Sequence, residues 1–428
     1  MNRVYLCISL PLLSLVLFIG GCASSAANNS SLKGPMSSGE LASSGPIDSL
    51  TNASQSPYKA ALSQAFLAKS LELDPSALMP AKIQHDQGLL AVYGAATTAG
   101  DPILVSWGRD GRILGRWLKE PGTSYLLGDV GKGVSMIAFS ATSGLVAGSD
   151  SQGIFIRSIA GSRENYRLQR LMTRVTVFEF SPEGDSLLIG GADGMVYLWR
   201  FKDEALEIEQ DRPEWYLQRY PGLGTAVSAL RFHPNGKFFF GSDLRGTVSA
   251  WQRYGLDELR GRYDDNFSGD RFLTSKTVRT PVRVGGGIAV DRIAIDPSTQ
   301  FVAFGLQDGV IEIWKLRGIV YQHQVKAHDG QILDLDFSVT KADDLTLIST
   351  GKDGEVKSWS GTIKDEKRIV GKNVVGGTPG QEYMVQTLKL SPKKSISMSG
   401  VVTGTFIPNE GYFIGSRTGT ISLVDLSL

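Results

Sequence analysis

Cysteine is nearly missing from this chain of 428 residues: only Cys7 and Cys22 occur, both near the N-terminus. From Ala23 to Leu428 a disulfide framework and a thiolate metal site are therefore excluded. Histidine is scarce as well, and His85, His233 and His323 show no metal-ligand spacing. Charged residues make up only 20% of the chain, and the net charge is +1. Without the segment ahead of Cys22 the balance is 43 basic to 43 acidic side chains. That evenness excludes a general nucleic-acid footprint, which needs a concentrated basic excess. No Gly-x-x-x-x-Gly-Lys phosphate cradle is present. The glycine-rich stretches Val284–Ile288 and Gly376–Gly380 lack a cofactor-binding strand-turn-helix setting and read as loops.

What the chain has in quantity is glycine, 50 residues of it, with 42% hydrophobic residues. Such a composition suits an all-β fold rich in tight turns better than a helical bundle. The length allows one large domain or two or three ordinary ones.

The N-terminus reads as an address. Asn2 and Arg3 form a short basic region, followed by an apolar run from Val4 to Ile19. That run is short for a membrane span of about 20 residues, Pro11 interrupts it, and small residues follow at once. A secretory signal peptide over 1–21 accounts for all three features. Its ending, Ile19-Gly20-Gly21-Cys22, resembles the lipobox of bacterial lipoproteins. The resemblance implies cleavage between Gly21 and Cys22, with a diacylglyceryl thioether and an N-acyl chain on Cys22. One acyl chain binds a membrane marginally, whereas two or three, at about 0.8 kcal/mol per buried CH₂, hold durably. Ala23 stands where an aspartate commonly retains Gram-negative lipoproteins in the inner membrane. The expected place is therefore the outer membrane, facing the periplasm.

Residues 22–57 are dominated by Ser, Ala, Asn and Gly and carry few large apolar side chains. Such a segment cannot bury enough surface to offset its ordering entropy, so it reads as a tether with a mean reach of about 30–35 Å. In 58–82, Tyr58, Leu62 and Phe66 recur at helical spacing in an Ala-rich stretch. It predicts a short amphipathic helix over 58–71, ending before Pro75. That helix would pack on the main domain or bind a partner.

From 83 to 428 the sequence repeats itself. A strand ending in small residues, a tight turn and a strand closing in tryptophan appear in Leu187–Trp199, Phe301–Trp314 and Leu347–Trp359, and more loosely in Phe239–Trp251. Weaker copies lie around Asp110 with Trp117 one residue out of phase, around Ser151 with Arg157 for the tryptophan, and around Thr418 with Val424. The first turn residues are 110, 151, 193, 245, 308, 353 and 418, at intervals of 41 to 65. The shortest intervals match a repeat of about 40–45 residues, and the longer ones imply insertions. Phe180–Gly184, Phe232–Gly236 and Ile295–Pro297 form a second repeated element, a proline-bearing turn.

This pattern resembles the WD40 repeat family. The resemblance implies an all-β propeller of four-stranded blades around a central channel, seven by this count, with six and eight also open. It further implies closure by a strand near Ile83–Tyr93 pairing beside the last blade. By the same resemblance His328, Ser349, Asp353 and Trp359 form the buried polar network of one blade. A catalytic reading of that Ser/His/Asp set is set aside: the repeat register explains the positions, and no Gly-x-Ser-x-Gly elbow surrounds Ser349. No cofactor, metal or catalytic residue is expected.

In such propellers the residue before the turn aspartate projects onto the narrower face, where ligands often bind. Here those residues are Arg109, Asp150, Ala192, Leu244, Gln307, Lys352 and Arg417. Arg109, Lys352 and Arg417 come from copies that ring closure makes neighbours. They predict a basic arc able to grip an acidic peptide. A second docking candidate is the insertion 252–280, where Arg253–Phe267 mixes charges with aromatics. The leading expectation is a membrane-anchored scaffold of a bacterial envelope machine, such as a secretion system, motor or outer-membrane assembly complex. The alternatives are a periplasmic enzyme or small-ligand binder and a surface adhesin. Against the enzyme stands the expectation that channel positions lack clustered His, Asp or Glu.

Overall fold

The computed structural model describes Ser70, Leu71, Leu73, Met79–Ala81 and residues 84–426. Positions 98, 121, 135, 170, 172 and 222 and the segments 160–164, 202–216, 254–280, 317–319, 340–343 and 370–381 are left out of that description. Gly21, Cys22, the tether and the helix expected over 58–69 lie outside the described residues. Ser70–Leu71, the last two residues of that expected helix, are extended.

Short runs of β-branched, aromatic and aliphatic residues, cut by turn residues, form strands rather than helices. They group into seven sheets taken in chain order. Blade 1 consists of Leu89–Thr97, Pro102–Gly108, Arg112–Trp117 and Ser124–Asp129. Blade 2 has Ile137–Ser140, Leu145–Asp150, Gly153–Ser158 and Asn165–Gln169. Blade 3 has Val175–Phe180, Ser186–Gly191, Val196–Arg200 and Leu217–Tyr220. Blade 4 has Val227–Phe232, Phe238–Asp243, Thr247–Gln252 and Val282–Arg283. Blade 5 has Val290–Ile295, Phe301–Leu306, Val310–Lys315 and Val320–Lys326. Blade 6 has Ile332–Val339, Leu345–Gly351, Glu355–Ile369 and Glu382–Ser397. Blade 7 has, among the described residues, the three strands Val401–Ile407, Gly411–Ser416 and Ile421–Val424.

Each blade is an antiparallel meander whose first strand is innermost. Inner strands of successive blades pack side by side, and that of blade 7 packs against that of blade 1. All seven turn positions read from the sequence fall between a second and a third strand. In six blades the inner strand carries a register slip at its second residue, for example between Val175 and Val177 and between Ile332 and Asp334. The shared bulge keeps equivalent inner-strand residues at equivalent heights.

Side chains of a strand alternate between faces, and both faces of every blade are covered by neighbours. The core is accordingly divided among the seams. One apolar cluster fills each of the seven gaps between adjacent blades, from 1/2 round to 7/1. Neighbouring residues of one strand serve different seams: Trp199 points into 2/3 and Leu198 into 3/4.

The expectation about ring closure needs correction. Leu89–Thr97 does not latch the last blade. It is the inner strand of blade 1, paired with Pro102–Gly108, and meets blade 7 by packing and one hydrogen bond, Gly94 N–H to Thr405 Oγ1 at 3.0 Å. Trp117 stands one residue past the tryptophan position of blade 1, as expected; Arg116 occupies it, pairing with Leu104 as Trp199 pairs with Leu187 in blade 3. The long interval before the seventh copy holds an insertion, as expected, and part of it is strand. The last two strands of blade 6 run on together from Glu355↔Ser397 to Ile369↔Glu382, past the end of the second strand, as a two-stranded ribbon. Leu388 and Leu390 fix its base against the 5/6 seam.

Candidate protein-docking face

The turns between second and third strands are built alike. A side-chain carboxylate accepts the backbone N–H two residues on: Asp110 from Arg112, Asp150 from Gln152, Asp193 from Met195, Asp243 from Arg245, Asp308 from Val310 and Asp353 from Glu355. Ser416 replaces the aspartate in blade 7 and accepts from Thr420 N–H.

Blade 6 brings its four expected network residues together. His328 Nδ1 lies 3.0 Å from Asp353, His328 Nε2 lies 2.8 Å from Ser349 Oγ, and Trp359 Nε1 lies 2.9 Å from the same Oγ. The donors assign the protons. Trp359 N–H donates to Ser349, whose O–H donates to Nε2, and Nδ1–H donates to the carboxylate. This order requires a neutral imidazole. Burial, the largest influence, holds His328 below its ordinary value of 6.5 despite Asp353 beside it. Burial also pushes the Asp353 carboxyl up, but N–H groups of Glu355 and Asp329, together with His328, outweigh it and hold the carboxyl below the usual range. Ser349 is fully buried, so this Ser/His/Asp set has no route to a substrate.

Blade 1 carries a second network that the sequence analysis missed. His85 Nδ1 lies 3.0 Å from Asp110 and Nε2 lies 3.0 Å from Ser106 Oγ. Burial again lowers the histidine pKa. Spacing was the available signal. In both blades the histidine stands 25 residues before the aspartate and 21 before the serine. The missing tryptophan hid it. His233 sits buried in the turn between the first two strands of blade 4, where Nδ1 accepts Asn235 N–H. His323 lies on the outer strand of blade 5.

Above the two networks lies the basic arc. Arg109, Lys352 and Arg417 are exposed, and none has an ion-pair partner among the described residues. Their backbone N–H groups donate to Gly88, Gln331 and Gly400, each the residue just ahead of its blade's inner strand. All three therefore stand at the inner end of their blades, by the mouth of the channel, on the consecutive blades 6, 7 and 1. Ala192, Leu244 and Gln307 make the same backbone bond, to Arg174, Ala226 and Ala289. Asp150 instead holds Arg167 through two 3.0 Å contacts, beside an open cleft of about 510 Å³ between blades 2 and 3. Asp86 and Asp329, each following a network histidine, add exposed carboxylates on adjoining loops.

The channel differs from expectation. Glu179, Arg231 and Asp336 occupy one register position on the inner strands of blades 3, 4 and 6, and Asp334 and Arg292 sit two residues earlier in theirs. Arg231 lies 3.5 Å from Glu179. Asp334 accepts the Tyr412 hydroxyl at 2.6 Å, and burial pushes its carboxyl up. Tyr93 of blade 1, pushed up chiefly by burial, also feels Glu179 and Asp334 from blades 3 and 6. Acidic side chains therefore do cluster at channel positions, but in company with two arginines. Among the described residues no group of His, Cys, Asp and Glu could hold a metal ion.

The family model for the WD domain, G-beta repeat, matches residues 169–200 and 216–252. Each stretch runs from the outer strand of one blade through three strands of the next. The crystal structure of the WD40 beta propeller domain of Doa1 superposes with a TM-score of 0.50 at 14% identity, covering 80% of this chain and 94% of that one.

The fold is a seven-bladed WD40-type propeller.

Among curated proteins, Actin-interacting protein 1-2 of Arabidopsis thaliana is 24% identical over 190 residues, 44% of this chain and 26% of that protein. Subunit 16 of the Mediator of RNA polymerase II transcription of Drosophila melanogaster is 26% identical over 95 residues, 22% of this chain and 11% of that protein. The chain thus spans about a quarter of the first relative and a tenth of the second. WD40 propellers are characteristically platforms for other proteins, and this chain shares that architecture.

Proposed function

We propose that this chain is a membrane-anchored protein-interaction scaffold, an accessory or assembly subunit of a multiprotein complex in a bacterial envelope. The signal peptide and lipobox support lipidation at Cys22 and a place at the outer membrane facing the periplasm. The two curated relatives are named for an interaction and as a subunit, which accords with a docking role. The observation that carries the reading is the arc of exposed cations on blades 6, 7 and 1, without ion-pair partners among the described residues. Three charges at one channel mouth suit an acidic segment of a partner. No cofactor and no catalytic group enters this reading.

The test is purification of the lipidated full chain from detergent-solubilised, crosslinked envelopes. Stoichiometric envelope proteins should co-elute with the wild type and be lost from the Arg109→Glu/Lys352→Glu/Arg417→Glu variant. Unchanged binding by that variant removes the arc from the reading, and recovery of the propeller alone removes the scaffold. Cys22→Ser should move the chain from the membrane to the soluble fraction, and an unaltered distribution would exclude the anchor.

A further inference from the structure

The two buried histidine networks differ in what their serine can do when the imidazole takes a second proton. Both rings are packed against glycines. A β-carbon on Gly108 would stand 2.2 Å from His85 Nδ1, and one on Gly351 2.3 Å from His328 Nδ1. A proton arriving at Nε2 must therefore be met where the ring stands. The charged imidazole donates from both nitrogens. Nδ1–H keeps its carboxylate, but Nε2–H now points at the serine Oγ, and the serine O–H needs another acceptor.

In blade 6 it has none. Ser349 Oγ already receives Trp359 N–H at 2.9 Å, and among the described residues its only acceptor is His328 Nε2. Charging His328 would leave a buried hydroxyl proton without a partner, which is costly. In blade 1 the equivalent hydroxyl has an alternative. Ser106 Oγ lies 3.5 Å from the carbonyl of Leu114, its partner across the strand pair. Arg116, not a tryptophan, occupies the position of the competing donor. Ser106 can turn its O–H to Leu114 and accept Nε2–H, so each group of the charged network keeps a partner.

That charge would arise within the basic arc. The loop of His85 carries Gly88, whose carbonyl accepts Arg109 N–H. A β-carbon on Gly419, in the blade 7 turn that bears Arg417, would stand 2.5 Å from the His85 carbonyl oxygen. The charged groups around His85 are Asp110 and Arg112 from the turn of its own blade, Asp86 beside it, and Arg417 from the blade 7 turn. Burial, the largest influence, holds its pKa below 6.5, while Asp110 draws it up and Arg112 down. With the imidazole neutral, the Asp110 carboxylate opposes Arg109, its neighbour in the chain. A proton on His85 cancels that opposition.

We infer that His85 is a proton-operated fourth cation of the arc: mild acid charges it, and docking of an acidic segment tightens. His328 stays neutral over the same range. This deepens the docking reading and rests on it. The sign follows from linkage. Affinity rises as pH falls through the titration of His85, and a docked acidic segment in turn makes His85 easier to protonate. Glutamates of the segment, with an ordinary pKa of about 4.3, keep their charge at pH 5.5.

Two measurements on the full chain decide it. The chain holds four histidines, so labelled imidazole carbons can be assigned by nuclear magnetic resonance from single variants. The His85 resonances should move between pH 7.5 and 5.5 while those of His328 hold. His328 moving with or before His85, or both staying fixed until the chain unfolds, overturns the inference. A fluorescent oligoglutamate peptide, followed by anisotropy, should bind wild type roughly fivefold more tightly at pH 5.5 than at 7.5. His85→Gln should abolish that dependence. Binding whose pH dependence His85→Gln retains overturns this inference alone. A peptide that binds at neither pH overturns the arc reading and this inference with it.

Discussion

The backbone carbonyl of Arg417, in blade 7, lies 2.3 Å from the place a β-carbon would occupy on Gly88, at the head of blade 1. Gly88 has φ +84°, and its own carbonyl accepts the N–H of Arg109. One glycine therefore seats two of the three arc cations and brings the last blade against the first. Gly88→Ala is expected to cost about 2–3 kcal/mol, from positive φ and the clash together. Urea unfolding at neutral pH would measure it, and a loss under 0.5 kcal/mol would contradict the seating.

Arg253 gives a second prediction. The sequence placed it at the head of an exposed docking insertion, whose remainder, 254–280, lies outside the described residues. Its guanidinium instead reaches from blade 4 to blade 3, with Nη2 2.8 Å from Asp185 and 2.9 Å from Ser186 Oγ and Nη1 3.2 Å from Glu183. A lysine keeps the charge but not the fork, so Arg253→Lys should lose about 1–2 kcal/mol. Thermal denaturation of the two proteins compares them directly.

The two buried histidines should count alike. Replacing His328 by alanine strands the Ser349 hydroxyl and part of the Asp353 carboxylate, at an expected cost of about 2–4 kcal/mol. His85→Ala should do the same to Ser106 and Asp110. Because the networks lie in separate blades, the double variant should be additive within about 0.5 kcal/mol. Chemical denaturation of all four proteins checks the sum.

Acid should act through these networks with a fixed sign. Both histidines titrate below 6.5 in the fold, so the unfolded chain takes up protons first as pH falls past 6.5. Their contribution is whole above that value and declines below it, levelling once pH passes the folded pKa. Asp110 and Asp353 are lowered too, and their contribution is lost at still lower pH. Asp334 and Asp296 are raised by burial and act oppositely, fading as pH rises. The stability difference between wild type and the His85→Ala/His328→Ala variant isolates the first effect. It should shrink from pH 7.5 to 5, and a constant difference would refute the neutral imidazoles.

Much of this was readable because repeats are redundant. Seven turn positions found from glycine, aspartate and tryptophan spacing all fall on equivalent hairpins, and the network around Ser349 follows from one well-kept copy. What escaped reading was what only neighbours decide. His85 lost its tryptophan marker to Arg116. The strands carrying Glu179, Arg231 and Asp336 are far apart in sequence, and only ring closure sets their charges facing one another. Val424 stands in a tryptophan position, so the copy could be counted, but nothing local said that its strand would lack an outer neighbour among the described residues.

The joint between blades 7 and 1 has a mechanical consequence. Among the described residues no strand crosses it, and its apolar cluster has only five buried members, Leu89, Val92, Leu104, Ile407 and Phe413. Elsewhere the apolar clusters are larger; here the hoop is clasped chiefly by its two inner strands. Because every described ladder lies within one blade, parting at this joint would break seam packing and leave the seven sheets intact.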